Sequence, residues 1–340
     1  MQRASRRTAA VIVGLSVGSL ILGTVYEGVE GRRDQQRLPR IGHAVNIGGR
    51  TLNIYCSGSG TPVVIFDAGA GRSGYAWAGI QAQVAQFTQA CWFDRAGEGW
   101  SDPGPFPRTS AAIARDLHQL LLGARIPAPY VLVGHSFGGL TARVYNGRYP
   151  TEVAGAVLIE SAHEDEPARA PSMFVGPKPP RCLWRPLHFL LMAAARVGLI
   201  RFFTPKSTLP ADPSRITPAQ VVYALQRWPQ AIATSNSIGL VAPDSYAEAR
   251  AADGFGDRPL IVLTRGQPFG HDSDPATNRA LSLRFQVWVH ELQAQLARLS
   301  TRGRQVIVEN SGHDIPDENP AAVISAVREV VDAVRANSHS

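Results

Sequence analysis

The sequence predicts an α/β fold, a parallel sheet covered on both faces by helices. Three observations predict it. Short apolar runs alternate with helical patterns along most of the chain, and the runs are continuously apolar, as strands buried on both faces must be. The stretch Val131-Leu-Val-Gly-His-Ser-Phe-Gly-Gly-Leu140 reads as a strand, a sharp turn on Gly134, Ser136 and Gly138, and the start of a helix. Near the far end, Ser311-Gly-His313 directly follows the last apolar run, so a histidine reaches the sheet edge that carries the turn.

The elements justify themselves in order. His43 to Gly49 and Arg50 to Cys56 alternate in polarity about a Gly-Gly pair and predict a β-hairpin. Pro62 to Asp67 is a buried strand, followed by Ala68-Gly-Ala-Gly71 and a helix around Trp77 to Phe87. Gln89 to Asp94 is the next strand, and a helix from about Ser110 to Leu122 takes Thr109 or Ser110 as its N-cap. Strands follow at Val153–Ile159, Pro259–Thr264 and Gln305–Glu309, and Ala321 to Arg335 closes the chain as an amphipathic helix. Between Glu164 and Arg258 the alternation breaks into prolines and apolar helical runs, notably Leu187 to Phe203. An insertion there falls at the carboxyl edge of the sheet, where ligands bind, and predicts a cap. The run packs inside the cap, or forms an apolar lid that lines a pocket or dips into a membrane face. The organisation expected is a basic tip and apolar helix at 1–33, a linker at 34–41, core at 42–163, cap at 164–258 and core again at 259–340.

The N-terminal segment differs in kind. Arg3, Arg6 and Arg7 precede an uncharged run from Thr8 to Tyr26, at about 1.5 Å per residue just long enough to cross a bilayer. Basic residues before the run place that end in the cytoplasm and the remaining chain outside. The alternative is secretion after signal cleavage, but Gly23 to Glu27 offers no good pair of small residues for it. Arg6-Arg7 hints at a twin-arginine signal, and Gly14 with Gly18 at small-xxx-small spacing. An uncleaved signal anchor is the expectation.

Composition excludes other classes. The chain has 340 residues, 44% of them hydrophobic, and a net charge of +7 that comes almost wholly from arginine. Lys178 and Lys206 are the only lysines. The arginines are scattered with no aromatic-basic module, which speaks against nucleic acid. Of the three cysteines, Cys56, Cys91 and Cys182, no pair has metal-ligand spacing, so no metal site is expected.

A serine hydroxyl needs a base to become a nucleophile, and histidine serves near neutral pH. Ser136 at the strained turn and His313 after the last strand supply that pair; His271 and His163 lack the strand-then-Gly-His setting, and His135 should point away from the turn. Asp67-Ala-Gly-Ala-Gly71 occupies an oxyanion-loop position, with the amides of Ala70 and Phe137 as donors. Together with Asp94-Arg-Ala-Gly-Glu-Gly-Trp-Ser101, these marks resemble the α/β-hydrolase fold family of bacterial serine hydrolases over Gly42 to Arg335. The resemblance implies an eight-stranded, mostly parallel sheet and a Ser–His–acid triad without cofactor. It also implies that the second and fourth strands are neighbours, which pairs Cys56 with Cys91. The chain departs from the family at the acid. An aspartate should follow the seventh strand closely, near Pro268, yet Asp272 and Asp274 come later and could instead cap the next helix. Glu160 ends the sixth strand at the right edge and is the favoured acid, with Asp272 or Asp274 as the alternative. The function expected is hydrolysis of a carboxylic ester, a small molecule with an apolar acyl part. Amidase, lactonase, thioesterase and carbon–carbon bond hydrolase use the same machinery, and a non-catalytic binding protein could share the fold. Aspartate-nucleophile relatives are excluded if Ser136 is the nucleophile.

Overall fold

The computed structural model describes residues 2–170, 178–204, 209–210, 215–270 and 272–338. Eight strands form one sheet: β1 (His43–Asn46), β2 (Thr51–Ser57), β3 (Val63–Asp67), β4 (Ala90–Phe93), β5 (Tyr130–His135), β6 (Val153–Ile159), β7 (Leu260–Arg265) and β8 (Gly303–Val308). Their order is β1-β2-β4-β3-β5-β6-β7-β8, antiparallel at β1/β2 and β2/β4 and parallel elsewhere. The strands read as continuous apolar runs because successive side chains enter different cores. Ile65, Leu132, Leu158 and Val262 face one, packed with Ile113, Leu117 and Leu140; Phe66, Val133, Ile159 and Leu263 face the other, packed with Ile80, Val84, Val327 and Val331.

The helices are α1 (Gln2–Arg37), α2 (Ala78–Val84), α3 (Ser110–Gly123), α4 (Phe137–Arg148), α5 (Glu166–Arg169), α6 (Trp184–Arg196), α7 (Leu199–Phe203), α8 (Pro218–Gln226), α9 (Pro229–Leu240), α10 (Ala242–Arg250), α11 (Pro275–Val287), α12 (Ala294–Ala297), α13 (Ile315–Glu318) and α14 (Pro320–Ser338). Thr109 caps α3 through its side chain, as expected. Two differences from the sequence reading have plain causes. The stretch expected as a linker is helical as far as Arg37, because nothing breaks the helix before Leu38, which Pro39 pushes out of helical geometry. The run Leu187–Phe203 is two helices rather than one, divided where Gly198 takes the left-handed conformation at φ 72°. The described residues of the insertion hold α5 to α10 and no strand. Within α1, the segment Ile12–Arg37 contains an 18-residue window of mean hydropathy 1.6 with no buried residue, long and apolar enough to cross a membrane.

Cys56 and Cys91 stand directly opposite each other across β2 and β4 and are bonded as a disulfide. Alkylation of the intact protein under denaturing conditions is therefore expected to modify Cys182 alone, and all three cysteines after reduction; free thiols at 56 and 91 in protein from its own compartment would contradict the bond.

Candidate active site

The turn after β5 holds Ser136 at φ 54° and ψ −117°, a region that costs a side-chain-bearing residue of the order of 1–3 kcal/mol. Its flanking glycines are sterically required. A Cβ on Gly134 would lie 2.5 Å from the Gly138 carbonyl oxygen, and one on Gly138 would lie 2.4 Å from that of Asp67. The backbone is thereby pressed against β3, and Ser136 is lifted to the edge at the N-terminus of α4. Phe137 is the first residue of that helix, so its amide has no carbonyl four residues back to bond.

His313 comes to Ser136 from the loop after β8. Its Nε2 is 3.1 Å from Ser136 Oγ and its Nδ1 is 3.4 Å from Glu160 Oε2. Glu160 is fully buried one residue beyond β6 and is itself strained, at φ 43°. Three donors fix its carboxylate: the Arg265 amide at 2.8 Å, the Arg265 Nε at 2.8 Å and the Trp288 Nε1 at 3.1 Å. Burial alone would raise its pKa, but the hydrogen bond with His313 and the Arg265 charge outweigh that and hold it below the ordinary value. Glu160 is thus an ionised carboxylate beside the histidine.

The other candidates are placed elsewhere. Asp272 and Asp274 are exposed, and Asp274 accepts from the Thr277 amide as the N-cap of α11 while Asp272 accepts from the Asp274 amide. Both carboxylates thus serve the local turn at the helix start. His163 is buried and its Nδ1 accepts from the Asp165 amide within a local turn. His271 lies outside the described residues. His135 is buried beside the site, its ring centroid 4.9 Å from that of His313. Its Nε2 lies 2.9 Å from the His313 carbonyl oxygen, and burial pushes its pKa down to about 3, so a neutral ring donates that bond and holds the His313 loop.

The loop after β3 is held from beneath. Arg95 donates to the carbonyls of Ala68 and Gly69 and pairs with Asp67 at 2.6 Å, and Glu98 accepts from the Gly71 amide at 3.1 Å. Burial pushes Asp67 up to about 6 and Glu98 up to about 7, against the pull of Arg95. Ala70 is left exposed at the tip, and Gly69 sits close enough that a Cβ there would be 3.5 Å from Ser136 Cβ.

Sequence reasoning missed the residues that hold Glu160. Arg265 was legible in principle, since it ends the strand next to β6. Trp288 was not, because it opens a π-helical turn, Trp288–Gln293, whose wider winding no apolar period announces. That turn also aims Gln293 at the Ser161 carbonyl, at 2.7 Å. Ser136, His313 and Glu160 open into a cavity of about 290 Å³ walled by Ala162, Phe269 and Trp288 and by the charged Glu166, Arg265 and Arg284.

A model of the alpha/beta hydrolase family matches residues 64–326. The chain belongs to the alpha/beta hydrolase family. Among solved structures of the same fold, an esterase from Thermogutta terrifontis is 20% identical, with a TM-score of 0.57 over 87% of this chain and 99% of its own. An enol-lactonase from Burkholderia xenovorans is 19% identical, with a TM-score of 0.56 over 85% of this chain and all of its own (100%). A vacuolar membrane protein of Saccharomyces cerevisiae is 32% identical over 108 residues, 31% of this chain and 17% of that relative. The hydrolase-family chain spans less than half the length of the curated relatives it matches, from 17% to 48%.

Proposed function

We propose that the chain is a serine hydrolase that cleaves a small carboxylic ester through an acyl-enzyme on Ser136. The observation that carries this reading is the relay Ser136 Oγ, His313 and Glu160, at 3.1 and 3.4 Å, on a strained turn. In the proposed reaction His313 Nε2 takes the hydroxyl proton as Ser136 attacks the ester carbonyl. The Ala70 and Phe137 amides meet the developing oxyanion, and Glu160 stabilises the imidazolium. His313 then returns the proton to the departing alkoxide, and water attacks the acyl-enzyme by the same route in reverse roles. Phe269, Trp288 and Ala162 would face the acyl part; about 290 Å³ suits a short one. An aspartate nucleophile has no place here, because the turn residue is serine. Incubation with a fluorophosphonate, followed by peptide mass spectrometry, is expected to place a single adduct on Ser136. Labelling elsewhere, or none with a short-chain ester also left intact, would overturn the proposal. Amides, lactones and thioesters run in the same assay separate the substrate classes that share the machinery.

We further propose that residues 1–33 anchor the chain in a bilayer, with the hydrolase core on the outer side and residues 164–258 forming its cap. The support is the exposed apolar surface of α1 and the arginines that precede its uncharged run. The full-length protein is expected to stay with membranes through an alkaline carbonate wash; a soluble product beginning near Glu27 would show a cleaved signal instead.

A further inference from the structure

The cap presents an apolar surface that continues that of α1. Helix α6 is apolar on two sides. Trp184, His188 and Ala195 turn inward, with His188 bonded to Ser237 of α9 at 2.8 Å. On the opposite side Phe189 and Leu190 are 67% and 65% exposed, and in α7 Phe202 and Phe203 reach 77% and 74%, with Leu199 at 50%. A solvated helix keeps its outer face polar, so an outer face of this kind needs a partner.

The partner is identified by what the surface joins. At the turn between α6 and α7 the cap touches α1 so closely that a Cβ on Gly23 would lie 2.3 Å from the Val197 carbonyl oxygen. A Cβ on Gly198 would lie 3.1 Å from the Tyr26 ring. One turn further, Arg201 forks onto Glu27 at 2.7 and 2.8 Å and reaches Asp34 at 2.7 Å. These contacts fall where the uncharged run of α1 ends and its charges return. The cap is therefore fixed at the level where α1 would leave the hydrocarbon, with Leu199, Phe202 and Phe203 beside that level. On α6, Arg185 and Arg196 are exposed about one and two turns either side of Phe189. A row of guanidinium groups flanking apolar side chains suits an interface of phosphate headgroups over acyl chains. We infer that the outer face of α6 and α7 lies in the surface of the bilayer that α1 spans, with Phe189, Leu190, Phe202 and Phe203 seated at the headgroup boundary. This rests on the anchor reading of α1.

The test uses the full-length chain with Cys182→Ser, reconstituted in vesicles of phosphatidylcholine and phosphatidylglycerol. Single cysteines at Phe189→Cys, Phe203→Cys, Val17→Cys and Leu122→Cys carry an environment-sensitive fluorophore; all four sites are exposed, so the fold tolerates them. Lipids brominated high or deep in the acyl chain act as quenchers. The labels at 189 and 203 are expected to lose most of their emission to the shallow bromines and little to the deep ones. The label at 17 should be quenched by the deep bromines, and the label at 122, on α3, by neither. Quenching at 17 with none at 189 and 203 would overturn the inference while leaving the anchor standing. No quenching at 17 would remove the anchor and the inference together. Cross-linking of the label at 203 between two chains, without bromine quenching, would put a second copy in place of lipid and overturn it as well.

Discussion

Ser136→Ala is expected to abolish fluorophosphonate labelling and to lower ester turnover at least ~10³-fold, with thermal stability near that of the unaltered protein. The rate effect follows from the chemistry: without the hydroxyl there is no acyl-enzyme, and only the oxyanion donors and substrate binding remain to accelerate attack by water. The small stability effect follows from the geometry. The lost hydroxyl has His313 as its partner, on a half-exposed side chain. Alanine at φ 54° bears the same left-handed strain as serine does, so that term cancels. A burst of acylation surviving in the alanine protein would move the nucleophile elsewhere.

The second large effect belongs to Glu160. Glu160→Gln is expected to lower kcat by roughly 10²–10⁴-fold, because an amide cannot balance the imidazolium and can hold His313 in the wrong tautomer. Here the structure adds a cost that the sequence did not foretell. Arg265 is 5% exposed and is paired with Glu160 at 2.8 Å. Removing the carboxylate strands that guanidinium in the interior, a change that costs about 3–5 kcal/mol where such pairs are broken. A lowered Tm should therefore accompany the lost rate, and turnover is to be read well below it. Asp272→Asn and Asp274→Asn serve as the contrast. Asparagine caps a helix about as well as aspartate, so both proteins should keep their turnover and stability. Loss of kcat in either aspartate variant, with Glu160→Gln active, would transfer the acid to the loop after β7.

How much of this could be read from residues alone depended on whether the cause was local. The strands were legible because both faces of a parallel sheet are buried, so Val63–Asp67 or Leu260–Arg265 are apolar without interruption. The turn at Ser136 was legible because only glycine fits at 134 and 138. Glu160 was legible as the carboxylate ending its strand. Of what holds it, Arg265 was legible only as the end of the neighbouring strand, and Trp288 was not, since it meets Glu160 only where a helix widens into a π-helical turn. The insertion between β6 and β7 was legible as an interruption of the alternation and not as a shape. Nothing local says that the outer side of α6 stays apolar, or that Gly23 and Gly198 let two distant helices touch.

The position of the acid has one more consequence. A loop that bears a catalytic carboxylate can scarcely gain or lose a residue, because any change of length displaces the group. In the proposed triad the segment between β7 and α11 is released from that duty. What it contributes instead is Phe269, whose ring lies 4.2 Å from the Arg265 guanidinium and 3.7 Å from that of Arg284, at the wall of the cavity. On the proposed function, fit of the acyl group and transfer of the proton would thus fall largely to separate pieces of chain. The amides of Gly266 and Gln267 still hold the Ser311 carbonyl of the His313 loop, so on the proposed function it is changes beyond Gln267 that should retune substrate preference while the relay stays intact, which makes that stretch the place for selection, or a designed library, to act without first repairing catalysis.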